Sequence, residues 1–441
     1  MRKTTSRSPV TPVLLGFLTA LGGMLGVPPA QAIPVDSGTL RTPASAAASG
    51  SGEAQYNAGI RALAADRLDE AEKAFQSCLD LAPRSADCML GVATVASARG
   101  NPSRAAAWIE RAVSAEPNNP YALASLGRLR AVDGRTDEAI AALERAARLD
   151  AKAVRPRVDL GDIYLTTKTD PKRAAELYRS VLDIEPDHAG ARFALGAALT
   201  RLGDSKGAAE AFSRASELAP GNPLPAIELS RLYAASGNLT EAERYAREAV
   251  KLQPGLLQAR LTLGQVLEAS GRSDEALKEY RAMAAAHPKL AAPDFHVGAA
   301  LHALGDLAGA AAAYGRALEK DPEFGPALNN LAAIELGRKA NDKAEALAQR
   351  AVNAAPQNAA FRDTHAEVLA AGGDLRGAAG EQQQAVKLEP GNPAYLARLG
   401  LLQARLGQKD EARKSLSRAL GMSQQFPGAA EARKALESLP R

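Results

Sequence analysis

The sequence is poor in aromatic residues, which make up 4% of the chain and include a single tryptophan. Alanine supplies much of the apolar content instead. Because sheet cores are built largely from β-branched and aromatic side chains, this composition favours closely packed helices. Few aromatic rings are also available to stack on sugars, which argues against direct binding of polysaccharide along the chain.

The chain also lacks a large excess of charge of one sign. It has 54 basic and 50 acidic residues, and three of the basic residues, Arg2, Lys3 and Arg7, precede residue 33. The remainder therefore carries 51 basic against 50 acidic residues. This balance gives no reason to expect nucleic acid or an anionic membrane surface as a partner.

Long apolar runs are missing except near the amino terminus. Residues 13–27 form an apolar stretch that follows three basic residues and precedes Pro28, Pro29 and the small-residue site Ala30-Gln31-Ala32. This pattern is typical of a secretory signal peptide over residues 1–32, cleaved after Ala32. An uncleaved anchor helix is the alternative, but the run is short for a membrane span. We expect a mature protein in the periplasm or outside the cell, without an integral membrane segment.

Residues 33–51 are small, polar and proline-containing, and they predict a flexible linker.

Residues that would indicate catalysis or metal binding are scarce. The five histidines never pair at the i, i+4 spacing of a helical metal site. Residues 203–207 read Gly-Asp-Ser-Lys-Gly, which fits a nucleophile-elbow motif, but that motif needs a strand before it. A turn glycine followed by a capping serine is the better interpretation. We therefore predict no catalytic residue, no metal site and no cofactor, and hence no enzyme.

The chain has two cysteines, Cys78 and Cys88. In an oxidising compartment they would be able to form a disulfide across a short loop. Two buried free thiols in small core positions are the alternative. The Cα separation decides between them, and the sequence leaves the question open.

Against these absences stands a repeat of 34 residues. Its clearest register is an alanine ladder: Ala71, Ala105, Ala139, Ala174, Ala208, Ala242, Ala276, Ala310, Ala344, Ala378 and Ala412. Only the step to Ala174 is one residue longer, and we assign the extra residue to a lengthened turn before Pro171. Prolines and small residues recur in the same spacing. Glycines between the two halves of most repeats predict left-handed turn residues.

The clearest copies carry a shared set of residues: Leu195-Gly196, Ala208, Phe212, Ala215 and Pro220, then Leu263-Gly264, Ala276, Tyr280 and Pro288. This pattern resembles the tetratricopeptide repeat family, a 34-residue helix-turn-helix unit. The resemblance implies an all-α solenoid, a right-handed superhelix of eleven stacked antiparallel helix pairs over residues 52–420. Residues 421–441 are then expected to hold a capping helix. The tenth copy has Gln382 where a large apolar side chain is expected, so we expect looser packing there.

In this family the ligand usually lies against positions 2, 5, 9 and 12 of the first helix of each repeat. We call these positions the A-face. The candidate binding residues there are Tyr121, Arg128, Arg155, Val158, Phe193, Ile227, Arg231, Leu261, Phe295, His302 and Asn329. They would suit an extended peptide with apolar side chains and some acidic character. The alternative is that these residues pack against neighbouring helices.

The resemblance implies a non-enzymatic scaffold that binds other proteins, here components of envelope assembly, secretion or exopolysaccharide export. An accessory role in polysaccharide binding or export is the alternative. The choice of pathway rests on analogy at the level of the fold.

Overall fold

The computed structural model describes Leu40 and residues 52–439, and within them it contains 23 α-helices and no β-strand. The predicted all-α solenoid is confirmed. The predicted signal peptide lies outside the described residues, as does the predicted linker apart from Leu40. The side chain of Leu40 is 3% exposed and packs into the apolar core of the first helices.

The described residues divide into two compact units, one ending at Leu232 and the other beginning at Tyr233. The amino-terminal unit is built from α1 (Glu53–Ala64), α2 (Leu68–Leu81), α3 (Ala86–Ala98), α4 (Pro102–Ala115), α5 (Pro120–Val132), α6 (Thr136–Leu149), α7 (Arg155–Thr166), α8 (Pro171–Ile184), α9 (Ala189–Arg201), α10 (Ser205–Leu218) and most of α11 (Leu224–Ala235).

The carboxyl-terminal unit contains α12 (Leu239–Leu252), α13 (Leu257–Ala269), α14 (Ser273–Ala286), α15 (Ala291–Ala303), α16 (Leu307–Lys320), α17 (Gly325–Gly337), α18 (Asn341–Ala354), α19 (Ala359–Gly372), α20 (Leu375–Leu388), α21 (Pro393–Arg405), α22 (Lys409–Met422) and α23 (Ala429–Ser438). Odd-numbered helices up to α21 are the first helices of repeats one to eleven, and the following even-numbered helices are the second. The helix α23 packs on α22.

Each repeat turns between its two helices through a residue with positive φ. Eight of these residues are the glycines that the sequence predicts: Gly100, Gly134, Gly203, Gly237, Gly271, Gly305, Gly373 and Gly407. In the other three repeats the same place holds Asp66, Thr169 and Lys339, with φ of 54°, 51° and 63°. The turn therefore keeps its left-handed residue even where a side chain raises its conformational cost.

Helix starts are fixed by local signals. Asn119 caps α5 by accepting hydrogen bonds from the backbone N–H groups of Tyr121 and Ala122, both at 3.0 Å. Asn358 and Asn392 cap α19 and α21 in the same way. Such a side chain satisfies N–H groups that have no partner inside the helix. Pro171 occupies the start of α8, where its missing N–H has no cost.

In each repeat, the residue at the eighth repeat position, on the first helix, and one residue of the second helix face the same space. A Cβ atom added at Gly196 would lie 2.6 Å from the Phe212 ring, and one added at Gly298 would lie 2.6 Å from the Tyr314 ring. Seven repeats pair glycine with a large residue: Phe75, Leu143, Tyr178, Phe212, Tyr280, Tyr314 and Leu416. The four repeats with Ala or Ser at the eighth position carry Ile109, Ala246, Ala348 and Gln382 instead. Glycine thus faces an aromatic ring or a leucine in seven repeats, whereas the four repeats with Ala or Ser have no aromatic ring at the facing position.

The tenth repeat holds its unusual glutamine by hydrogen bonds. The side chain of Gln382 is 1% exposed, and its amide nitrogen donates to Asp363 Oδ1 at 3.0 Å and to the Tyr395 carbonyl at 3.2 Å. The amide nitrogen of this buried glutamine therefore has two acceptors. Looser packing of the tenth repeat stays a prediction.

Candidate protein-binding surface

All eleven candidate residues lie on first helices, and they divide into two groups by burial. Arg128, Ile227, Phe295 and Asn329 are buried. The other seven keep partial exposure: Tyr121, Arg155, Val158, Phe193, Arg231, Leu261 and His302. Both interpretations of the A-face are therefore represented, since the buried group contributes to packing and the half-exposed group remains accessible.

In the amino-terminal unit, Arg128 and Arg155 meet at one carboxylate. Arg155 Nε donates to Asp159 Oδ1 at 2.8 Å, and Arg128 Nη1 lies 3.5 Å from Asp159 Oδ2. The Arg128 side chain is 5% exposed, and this contact joins α5 to α7. Sequence reasoning missed Asp159 because it lies outside the A-face positions. The i, i+4 spacing from Arg155 was the available signal.

A second carboxylate lies beside this pair. Asp162 occupies an A-face position of α7, and its Oδ1 accepts a hydrogen bond from the Tyr178 hydroxyl at 2.7 Å. Burial raises the pKa of Asp162, although the bond from Tyr178 opposes that shift. Together the four groups make a surface of alternating charge, in which neither sign dominates.

The first helix of the sixth repeat carries a similar pair. Ile227 is fully buried, and Arg231 Nη1 donates to Glu228 Oε1 at 2.8 Å. Burial raises the pKa of Glu228, and the Arg231 charge opposes the shift. The Arg231 side chain is 41% exposed. Each predicted arginine of this unit is thus paired with a carboxylate that sequence reasoning did not identify.

In the carboxyl-terminal unit the A-face is mainly apolar. Phe295 on α15 is 7% exposed, and its ring centroid lies 5.7 Å from both the Tyr314 and the Phe324 rings. Leu261 packs against the same core from α13. Burial lowers the pKa of the half-buried His302, which favours its neutral imidazole. This stretch would accept apolar side chains without demanding a charge from them.

Asn329 on α17 adds a polar group to this apolar stretch. Its side chain is 8% exposed, and its amide nitrogen donates to Asn330 Oδ1 at 3.2 Å. Asn330 in turn donates to the Tyr314 hydroxyl at 3.2 Å. The Asn329 Oδ1 atom is buried and accepts no hydrogen bond from the described residues. Such a carbonyl oxygen can accept a bond from an N–H group.

The structure also locates the motifs that suggested chemistry. Gly203 has φ of 78° in the turn between α9 and α10, and Asp204 rather than Ser205 caps α10 by accepting from Gly207 N at 2.9 Å. Among residues 52–439, no three His, Cys, Asp or Glu side chains are grouped so that they could hold a metal ion. Across the described helices, none is long and apolar enough to cross a membrane.

Cys78 at the end of α2 and Cys88 at the start of α3 are brought together by the turn between the first two repeats. Their Cα atoms lie 5.9 Å apart, and the two sulfur atoms are joined in the structure. This Cα distance is within the range that a disulfide requires. Both side chains are buried.

Comparisons with known proteins identify the repeat. One model of the tetratricopeptide repeat matches residues 62–129 and 301–368, and another matches residues 167–223, 227–291 and 364–436. The crystal structure of yeast Tom70 resembles the chain with a TM-score of 0.50 at 16% identity, covering 88% of this chain and 95% of that one. This likeness concerns the fold alone.

Two curated relatives come from Komagataeibacter xylinus. Cellulose synthase 2 operon protein C is 29% identical over 161 residues, which are 33% of this chain and 12% of that protein. Cellulose synthase operon protein C is 32% identical over 181 residues, which are 38% of this chain and 13% of that protein. The match therefore spans a small part of the length of either relative.

Proposed function

Because the chain belongs to the tetratricopeptide repeat family, we propose that it is a non-enzymatic scaffold of the bacterial cell envelope. It binds peptide segments or partner domains of other proteins on the A-faces of its helix pairs, and it needs no cofactor for this function.

The observation that carries this proposal is the apolar stretch around Phe295, where Leu261 and His302 remain partly exposed. An extended peptide has backbone N–H groups at regular spacing and side chains that alternate in direction. An apolar side chain of such a peptide would pack beside His302 and Leu261, which are both partly exposed.

The amino-terminal unit supports a partner of mixed charge. Arg155 and Arg231 remain partly exposed although each meets a carboxylate. Acidic side chains of a partner would compete with Asp159 and Glu228 for these guanidinium groups. Because exposed ion pairs are weak, such an exchange adjusts specificity more than affinity.

Site-specific photo-crosslinking in cells tests the surface. A photoreactive amino acid at His302 or Val158 should give crosslinked products that contain other proteins. The matched control places it at Lys278, which is exposed on the second helix α14. Products from Lys278 but from neither A-face position would contradict the proposal.

The envelope location rests on the predicted signal peptide and on the names of the two relatives, which link them to cellulose synthase operons. Intact-mass measurement of the exported protein should find a chain that begins at Ile33. A chain that retains residues 1–32 in the cytoplasm would contradict this location.

The same names favour a second candidate function, in which the chain serves an exopolysaccharide system by binding the polymer itself. Purified mature protein tested against a panel of polysaccharides separates the two functions. Saturable polymer binding that is lost in a Tyr121→Ala, Phe193→Ala variant would favour the second function. Binding of proteins alone would favour the first.

A further inference from the structure

A cleft of about 590 Å³ lies where α20, α21 and α22 meet near the end of the chain. Three cations line it: Lys387 on α20, and Lys414 and Arg418 on α22. No carboxylate lines the cleft, and none of the three cations has an ion-pair partner in the described part of the chain. We call it the basic cleft. It does not include the A-face positions of α21, so it is a separate surface.

Arginines recur at the repeat position of Arg418, and the others have partners: Arg111 lies 4.0 Å from the centroid of the Trp108 ring, and the rest have polar partners. Arg145 donates to Asn118 at 2.6 Å, Arg214 to Asp187 at 2.9 Å, and Arg350 to Glu323 at 3.0 Å. These three partners all occupy one repeat position, two residues before the next first helix. In the tenth repeat that position holds Gly391, which has no side chain.

Two other kinds of acidic partner, which such arginines have in other repeats, are also missing at Arg418. Arg316 pairs with Asp294 at 3.0 Å, and Arg214 adds Glu217 at 2.9 Å. The positions that correspond to Asp294 and Glu217 hold Leu396 and Gly421. Arg418 thus retains the positive charge found at this repeat position. The three nearby positions that supply a partner in other repeats carry no acidic side chain here.

The rest of the lining indicates what kind of anion fits. Gln383, Gln384 and Gln403 bring amide groups to the cleft, and Gln403 Oε1 accepts from Ser415 Oγ at 2.8 Å, which leaves its amide nitrogen as a donor. Val386, Leu396 and Leu399 supply apolar surface, and no aromatic ring lines the cleft. Cations and amide donors bind carboxylates, while aliphatic side chains without rings suit an apolar side chain better than a sugar face.

We infer that the basic cleft is a second binding site, which takes an acidic peptide segment with a leucine-like side chain between its carboxylates. The site extends the proposed protein-binding function to a surface formed mainly by second helices. The basic cleft contains no A-face residue, so the experiments on the two surfaces can refute either proposal without the other.

Fluorescence polarisation with full-length mature protein tests this inference. The probe is a short fluorescein-labelled peptide of alternating glutamate and leucine, compared with its glutamine-for-glutamate counterpart. Wild-type protein should bind the acidic peptide more tightly, and high salt should weaken that binding. The triple variant Lys387→Gln, Lys414→Gln, Arg418→Gln should weaken it at least about tenfold.

Matched controls separate the cleft from general surface charge. Lys251 and Lys278 occupy the repeat positions of Lys387 and Lys414 in other repeats, so Lys251→Gln, Lys278→Gln should leave the affinity unchanged. Gly391→Glu restores the acid found at Glu323, and no atom lies within 4 Å of a Cβ built there. This substitution should give Arg418 an internal partner and also weaken peptide binding. Unchanged far-UV circular dichroism verifies that the variants fold.

Several outcomes would overturn the inference. They are equal affinity for the two peptides, no measurable binding by the wild type, and an equal loss in the control variant. Competition by polygalacturonate or inorganic phosphate as effective as that of unlabelled acidic peptide would also overturn it, since it would assign the cleft to a polysaccharide or a small ion. Photo-crosslinking at His302 and Val158 should be unaffected by the cleft variants, which keeps the two surfaces distinguishable.

Discussion

In most repeats a glycine of the first helix and a large side chain of the second helix compete for one space. At Gly196 the missing Cβ would lie 2.6 Å from the Phe212 ring. In the second repeat, Ala93 is matched with Ile109, a side chain without a ring. The shared volume explains why glycine recurs in a helix interior, where it lowers helix stability relative to alanine.

We expect Gly196→Ala to destabilise the amino-terminal unit, because overpacking by about 1–3 kcal/mol exceeds the gain in helix propensity of about 1 kcal/mol. Urea unfolding followed by circular dichroism measures the loss. The double variant Gly196→Ala, Phe212→Ile copies the natural pair of the second repeat and should recover a large part of it. Gly221→Ala is the control, since no atom lies within 4 Å of its added Cβ. Equal losses in the single and double variants would refute the shared-volume explanation.

For single residues, the sequence predicts some structural roles and misses others. Turn glycines and capping asparagines are local signals, so their roles are predictable from neighbouring residues. Lys339 and Thr169 also adopt positive φ, but their residue types do not indicate it. The A-face position of Arg128 follows from the repeat spacing, whereas its contact with Asp159 depends on how α5 and α7 stack. Contacts between repeats require the geometry of the fold, and residue spacing does not supply it.

Between helices, ion pairs join successive repeats. Glu243 on α12 accepts from Arg272, at the start of α14, at 2.7 Å, and from Arg247 on its own helix at 2.7 Å. Partial burial would raise the pKa of Glu243, but the bonds from both arginines outweigh it and lower the pKa below its ordinary value. The charged form of Glu243 is therefore the one that links the two repeats.

Glu243→Gln should lower the stability of the carboxyl-terminal unit at pH 7 by about 0.5–1 kcal/mol, the size of a partly exposed pair. A carboxyl group with a lowered folded-state pKa contributes stability above its unfolded pKa and loses it as the pH falls through the folded value. The difference between wild type and variant should therefore shrink below about pH 4. Thermal unfolding across pH 3–7 measures it, with Glu248→Gln on the same helix as the control. A difference that stays constant with pH would contradict the assignment.

The Cys78–Cys88 bond joins α2 to α3 across a separation of ten residues. In an exported protein we expect this bond to persist, and closing so short a loop should stabilise the first two repeats by about 2–3 kcal/mol. Alkylation of the unfolded protein without reductant should leave its mass unchanged. Addition of two labels would show free thiols and contradict the prediction. With the bond formed, reductant should lower the melting temperature of wild type but not of Cys78→Ala, Cys88→Ala.

Across the whole array, each repeat is stabilised by its neighbours, so a repeat that loses one of them is weakened. The carboxyl-terminal end is covered by α23, whose Ala429 and Ala432 are buried against Leu416 and Leu420 of α22. Phe426 and Leu436 pack at the edge of the same cluster. Apart from Ala430, the exposed residues of α23 are polar, so this helix covers the apolar face of α22 with a polar surface.

Removal of residues 423–441 should therefore expose the apolar face of α22 and loosen the last repeat first. Hydrogen exchange should become faster in α21 and α22, while α13 to α17 keep their protection because their neighbours remain in place. Lys434→Ala, Glu437→Ala changes only exposed residues of α23 and should leave exchange unaltered, whereas Phe426→Ala, Leu436→Ala should produce part of the effect. If truncation instead accelerated exchange equally through α12 to α22, this unit would unfold as one cooperative block, and a separate capping role for α23 would be wrong.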